Sequence, residues 1–394
     1  MRIRFALVLL MALQAGGASG AETIEDLLSN VDRLVAEKKY LSAFKALDNY
    51  EGGDSNPDIA LKKAELAMNY FASSIMHTTF AFRDLEEGED ILKVRGSTGK
   101  FTMYAFDVGE VFKPLIQRYP EDSRLHRTLA DYYIDVYEKY RGQWMKSDEE
   151  LLKGAQENYG RAISLGDSDA KTYFGAGKAA MYLNDAPGAA LQFQAAVEKS
   201  ADYAPARYNL AYAYLFMNRQ AEAASQAIEA YNLYTEIPLK ADAAMLAGQA
   251  YLELGENEGA LKYFLLCDEI APEKYENMRR LMGLYVRLGR GDDARAVGDR
   301  IFALAPTNPT ASRAFLDNYS GTPLAGELPG IFKDLAAKYA ANPEAAGNAL
   351  FHLSVFYLQN GQKSLALETI DEAEKDFRNS LKEDHAVFKT IEDL

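Results

Sequence analysis

From Ala170 onward, small and apolar positions recur in blocks of about 34 residues, the kind of period that marks a repeat array. With Ala170 as position 1, the eighth positions are Gly177, Ala211, Gly248 and Met282, at spacings of 34, 37 and 34, and Ser354 follows 72 further on. Seven residues after each stand Asn184, Asn218, Gly255, Gly289 and Gly361. Gly and Asn tolerate the left-handed backbone that ends a helix. Five further on come Ala189, Ala223, Ala260, Ala294 and Ala366, small enough for a second helix to approach the first. Three after the eighth position stand Tyr214, Tyr251, Tyr285 and Tyr357, with Ala180 as the exception. The pattern predicts a helix of about four turns, a stop, and a second helix whose Ala faces the first. One such pair cannot bury its apolar face alone, so the pairs must stack.

Clear blocks cover 170–203, 204–240, 241–274 and 275–308, with Pro272 and Pro306 closing two of them. Residues 347–380 and 309–346 read as degenerate blocks. So does 123–169, where Ala130, Tyr133, Ala155, Tyr159 and Ala162 fall in register and extra residues intervene around Arg141 to Asp148.

Residues 21–122 are a divergent helical region. Thr23 with Asp26, and Asn56 with Pro57, are helix-start signals. Ala43, Leu47 and Tyr50 fit a worn second helix. An irregular insert near 73–106 breaks the periodicity. There Ile91, Leu92 and Val94, then Phe101 and Met103, flank Gly96-Ser97-Thr98-Gly99, which predicts a short hairpin. Asp107 reads as the N-cap of a helix ending before Pro120. Long irregular segments in compact proteins are often functional, so the insert is either a loop packed on the array or a docking element.

The first 20 residues read as a targeting segment. Arg2 and Arg4 precede the apolar run Phe5 to Leu13, and Ala18-Ser19-Gly20 supplies small residues for cleavage. A run of nine is too short to span a bilayer, and no Cys follows it for a lipid anchor. The expected location is periplasmic or secreted, without membrane insertion after signal cleavage.

Within the repeats, Tyr208-Asn209-Leu210-Ala211-Tyr212-Ala213-Tyr214 resembles the first-helix signature of the tetratricopeptide repeat family, and Gly255-Glu256-Asn257-Glu258-Gly259-Ala260 resembles its turn and second-helix start. The resemblance implies an all-α, right-handed superhelical solenoid of helix hairpins, with first helices lining a concave groove that takes peptides. It says little about function beyond that. The family's clamp for chaperone-tail carboxylates is incomplete here. Asn209 matches its middle Asn, but Phe174 and Lys178 occupy the first pair and Asp242 and Leu246 the last. A chaperone C-terminal tail is therefore not the expected ligand.

Composition narrows the function. The 394 residues are 48% hydrophobic, enough for a folded chain. Against 58 Asp and Glu stand 43 Lys and Arg, a net −15, the wrong sign for a nucleic-acid binder. One Cys and four scattered His offer no disulfide framework and no local metal motif. The sequence Gly96 to Lys100 fails the phosphate-loop pattern, since Val94 replaces its first Gly and Phe101 its hydroxyl residue. Gly175 and Gly177 lie inside a repeat helix, so they read as packing sites rather than a dinucleotide fingerprint. Asp54-Ser55-Asn56 lacks the calcium-loop Gly, and Arg290-Gly291-Asp292 falls in a repeat turn. Cys267 reads as a buried, inert thiol. No catalytic, cofactor-binding or metal-binding residue is expected.

Repeat positions 5, 9 and 12 share one helical face. With their neighbours they give the expected groove residues: Phe174, Lys178, Tyr182, Tyr208, Asn209, Tyr212, Phe216, Arg279 and Arg287. Met245, Gln249, Leu252, Gly283 and Val286 occupy the same positions, as do Arg124 and Arg127 further toward the N-terminus. Aromatic and Arg side chains are enriched in binding hot spots. The expectation is a non-enzymatic scaffold in the cell envelope that grips a protein or peptide partner. Its rivals are a carbohydrate-binding solenoid in polysaccharide export, since tyrosines also stack sugars, and an enzyme using the 73–106 insert.

Overall fold

The computed structural model describes residues 23–96 and 101–393. The leader read from residues 1–20, and residues 97–100 of the expected hairpin turn, lie outside the described residues. The chain divides into two compact units, one ending at Ser168 and one beginning at Asp169.

The first unit opens with helices α1 (Ile24–Ala36), α2 (Tyr40–Asp48) and α3 (Pro57–Asn69). Thr23 caps α1 by accepting the Asp26 N–H, and Asn56 caps α3 by accepting from Asp58 and Ile59, with Pro57 at the first helical position. Strands β1 (Ser73–Ile75) and β2 (Thr79–Ala81), the single turn α4 (Ile91–Val94) and strand β3 (Met103–Ala105) make up the insert. Helices α5 (Val108–Arg118), α6 (Ser123–Tyr140) and α7 (Asp148–Ser164) complete the unit. Asp107 caps α5 as its sequence predicts. The pair α6/α7, read with the later repeats, thus belongs to the first unit, where α6 packs on α3 and α5.

The insert corrects one expectation. No hairpin joins Ile91–Val94 to the 101–103 segment. The Asp90 carboxylate accepts the Leu92 N–H at 2.8 Å and turns Ile91–Val94 into a helix. The hairpin lies earlier, with Ser74 opposite Phe80, and β3 adds to it antiparallel, with Phe80 opposite Tyr104. Phe80 of β2 is buried, as are Phe44, Phe82 and Phe106, with Phe44 stacking on Phe82 at 4.4 Å between ring centres.

Two non-glycine residues at the hairpin tip, Met76 and His77, hold φ of +48° and +54°. Such backbone persists only where the surroundings over-determine it. Here they do. The Tyr132 hydroxyl donates to the His77 carbonyl at 2.9 Å, and Trp144 Nε1 donates to the Met76 carbonyl at 2.6 Å. Both donors come from the enlarged α6/α7 pair. Its extra length is partly helical, α6 running 18 residues, and partly the linker that carries Trp144.

The second unit runs as α8 (Ala170–Tyr182), α9 (Ala186–Lys199), α10 (Ala204–Phe216), α11 (Gln220–Leu233), α12 (Ile237–Leu254), α13 (Asn257–Ile270), α14 (Tyr275–Arg287), α15 (Gly291–Leu304), α16 (Pro309–Tyr319), α17 (Leu328–Lys338), α18 (Pro343–Gln359), α19 (Lys363–Arg378) and α20 (Ala386–Glu392). Asn184, Asn218, Gly255, Gly289 and Gly361 take φ between +55° and +79°, so all five predicted stops are left-handed. The five alanines of the second helices are buried. The all-helical repeat fold read from the sequence is the fold observed, with the small sheet confined to the insert. Among the described residues, no helix is long and apolar enough to cross a membrane.

Candidate functional site

The first helices of the second unit build one face. α10 packs on α12, α14 on α16, and α16 on α18. Along this face lie three clefts. The first, of about 290 Å3, is lined by Tyr212, Leu215 and Phe216 of α10, by Met245, Leu246, Gln249 and Glu253 of α12, and by Arg280 of α14. The second, of about 600 Å3, joins Leu252 of α12 to Arg279, Arg280, Gly283 and Arg287 of α14 and to Asp317 and Asn318 of α16. Its wall is closed by Gly321 to Leu324, the extra turn residues of the degenerate 309–346 repeat. A third, of about 350 Å3, continues past Arg313 and Asp317 to Phe351 and His352 of α18. Arg280 lines both of the first two clefts and Asp317 both of the last two, so the row is continuous.

The first cleft is apolar with aromatic walls. Phe216 ends α10 and remains 69% exposed. No core requirement holds a phenylalanine there. Tyr212 stands against Tyr208, ring centres 5.2 Å apart. The second cleft is basic. Glu276 is shared by Arg279, at 3.3 Å, and Arg280, at 3.0 Å. Arg280 also bonds the Gln249 amide oxygen, yet its buried Nε has no hydrogen-bond partner. Arg287 is exposed and makes no ion pair among the described residues. Gly283 lets α16 come close, since a Cβ there would sit 2.5 Å from Asn318 Oδ1.

Of the nine residues read as groove positions, the clefts bring together four: Tyr212 and Phe216 in the first, Arg279 and Arg287 in the second. The others serve elsewhere. Phe174 packs between Phe193 and Tyr203. Lys178 lies over the Tyr182 ring at 5.9 Å. Tyr208 is half-buried against Tyr234, and burial together with the Tyr212 hydroxyl pushes its phenol far above the usual value. Asn209 donates its amide to the Pro205 carbonyl of its own helix at 2.8 Å. Arg124 and Arg127, on the first unit, are ion-paired to Asp58 and Asp122 and to Asp131 and Asp167. The sequence reading missed Arg280, at position 6 and off the counted stripe, and Asn318.

Two histidine contacts were invisible in sequence. Ser312 Oγ and His352 Nδ1 lie 2.9 Å apart, but Ser312 is fully buried and its hydroxyl also faces the Pro309 carbonyl, so the pair ties α16 to α18. His77 Nε2, at the tip of the insert's hairpin, sits 2.7 Å from Asp135 Oδ2 of α6, fully buried among Phe71, Phe80 and Tyr132. Burial pushes the imidazole below its ordinary value against the pull of Asp135. No cluster of three metal-ligating side chains occurs among the described residues. Cys267 is buried, and burial pushes its thiol up to about 12.

Residues 217–275, from the turn after α10 into the start of α14, match the family model described as Tetratricopeptide repeat. This stretch of the chain carries tetratricopeptide repeats. No curated protein sequence matches it. Solved structures similar to this repeat protein include MamA, 21% identical over 43% of this chain and 89% of that one, with a TM-score of 0.37. YrrB, described as a TPR protein with an unusual peptide-binding site, is 18% identical over 61% of this chain and all of that one, TM-score 0.36. The C-terminal part of a TPR repeat-containing protein from Cytophaga hutchinsonii is 15% identical over 66% of this chain and 93% of that one, TM-score 0.42.

Proposed function

We propose that this repeat protein is a non-enzymatic interaction scaffold of the cell envelope, holding a segment of a protein partner along the face built by α10, α12, α14 and α16. Proteins of this repeat class act in general as scaffolds, and the face carries the apparatus of recognition rather than of chemistry. The observation that supports the reading best is Phe216. It is a large aromatic exposed at the mouth of an apolar cleft, on the face that no neighbouring helix covers. Exposed aromatics beside clefts are the usual anchors of a protein interface. The envelope assignment rests on the basic, apolar and small-residue succession of residues 1–20.

The test places a photo-crosslinking amino acid at position 216 and, as control, at the equally exposed Leu191 on the second helix α9. Crosslinks to protein from 216 and none from 191 support the groove. Crosslinks from 191 alone, or from neither, sink it. N-terminal sequencing of the exported or retained chain tests the envelope assignment separately.

A further inference from the structure

Resting on that reading, we infer that the α14 cleft is a carboxylate-recognition subsite, and that the partner segment pairs an apolar anchor with acidic groups a few residues away. Three arginines of one helix, Arg279, Arg280 and Arg287, converge on the cleft in a chain of net charge −15. Glu276 is shared between the first two as their close ion-pair partner, and Asp317 adds a longer-range attraction to Arg279. Arg287 is exposed and has no acidic partner among the described residues. Asp317, the carboxylate across the cleft, lies against Arg313 on its own helix at 3.5 Å. The planar fork of arginine matches a carboxylate in two-point fashion.

The complementary charge therefore belongs to the partner. Arg280 lines both clefts, so one continuous segment reaches both. Neighbouring helices pack about 8–10 Å apart, which puts the apolar cleft and the arginines roughly 10–20 Å apart. An extended chain covers that span in about three to six residues. This set of groups differs from the family's chaperone-tail clamp, whose positions here hold Phe174, Lys178, Asp242 and Leu246. Asp242 is moreover occupied by Lys274 at 2.7 Å.

The probe is a set of fluorescein-labelled, Gly/Ser-rich dodecapeptides, each with one Phe and, two to eight residues along, either two Glu or two Gln. Binding to the full chain is read by fluorescence anisotropy. The expected result is at least ten-fold tighter binding of the Glu peptides at spacings of three to six, with the preference falling as salt rises. Arg287→Glu removes the preference, whereas Phe216→Ala weakens Glu and Gln peptides alike. Both residues are exposed, so neither variant threatens the fold, and a Tm within error of wild type confirms it. Equal binding of Glu and Gln peptides, or a preference that survives both Arg287→Glu and Arg279→Gln, overturns the carboxylate subsite. If crosslinks from position 216 still reach a partner, that result leaves the groove standing. Absence of crosslinks and of all peptide binding overturns both.

Discussion

Gly248 of α12 lies directly beneath the ring of Phe264 on α13, so close that a Cβ would stand 2.6 Å from the ring carbons. The relation also stands two blocks earlier between Gly177 and Phe193, at 2.5 Å. Phe264 is fully buried and has nowhere to move. Gly248→Ala therefore destabilises the protein by about 1–3 kcal/mol, overpacking outweighing the roughly 1 kcal/mol helix-propensity gain. Gly160, on the exposed side of α7 with nothing within 4 Å of its missing Cβ, is the opposite case. Gly160→Ala stabilises by about 0.5–1 kcal/mol. Urea unfolding followed by circular dichroism checks both signs.

The insert is held by donors on α6 and on the linker after it. Tyr132→Phe leaves the His77 carbonyl without its buried donor, and Trp144→Phe does the same to the Met76 carbonyl. Each costs about 1–3 kcal/mol, the penalty of an unsatisfied buried group. Limited proteolysis should cut the 73–81 hairpin faster in either variant, while the repeats from α8 onward stay resistant. Equal cutting rates would show that the hairpin stands without these bonds.

Stability should fall as the solution is acidified below about pH 6.5. Burial holds His77 and His352 below the ordinary imidazole value in the folded state. Between the folded and unfolded values the unfolded chain therefore binds more protons, so acid favours unfolding, by at most about 1.4 kcal/mol per pH unit for each histidine. Asp135 works in the same direction further down. Burial would raise it, but His77 and Lys139 hold it below its usual range, and its contribution is lost when it protonates. His77 faces Asp135, Lys139 and Arg95. His77→Asn, which tolerates the positive φ, should flatten the slope of urea midpoint against pH between 7.5 and 5.5. An unchanged slope would assign the effect elsewhere.

Cys267 should be inert in the folded protein. Its thiol is buried, with a pKa pushed up to about 12, so little thiolate forms at neutral pH. Mass spectrometry should find no iodoacetamide adduct at pH 8 in buffer and full labelling in urea. Labelling of the native protein at the rate of a free thiol contradicts the structure.

The repeat array was readable because its signals are local. Asn184 and Gly255 announce a positive φ by their own chemistry, and Ala223 and Ala260 announce close packing by their size. Half of the face was readable for the same reason, since Tyr212, Phe216, Arg279 and Arg287 fall on one helical stripe. Arg280 escaped because it sits one residue off the stripe and is drawn in by Gln249, 31 residues earlier. Phe174, on the stripe, turns to Tyr203, and Asn209, beside the stripe at the same repeat position as Arg280, bonds its own helix. The hairpin was misplaced because Ser73-Ser74-Ile75 has no apolar alternation. Its position is set by Tyr132, Tyr140 and Trp144, which lie 55 to 68 residues away.

Trp144 is the only tryptophan in the chain, and it is spent on the carbonyl of a residue in another irregular segment. The two departures from the repeat are thus halves of one joint. Deletion of α6 and α7 bares the Met76 and His77 carbonyls, while a transplant of α6 and α7 alone into a designed array bares the Tyr132 hydroxyl and the Trp144 indole N–H. The modular exchange that repeat architectures ordinarily permit stops at this joint, and the smallest transferable piece must carry both segments together.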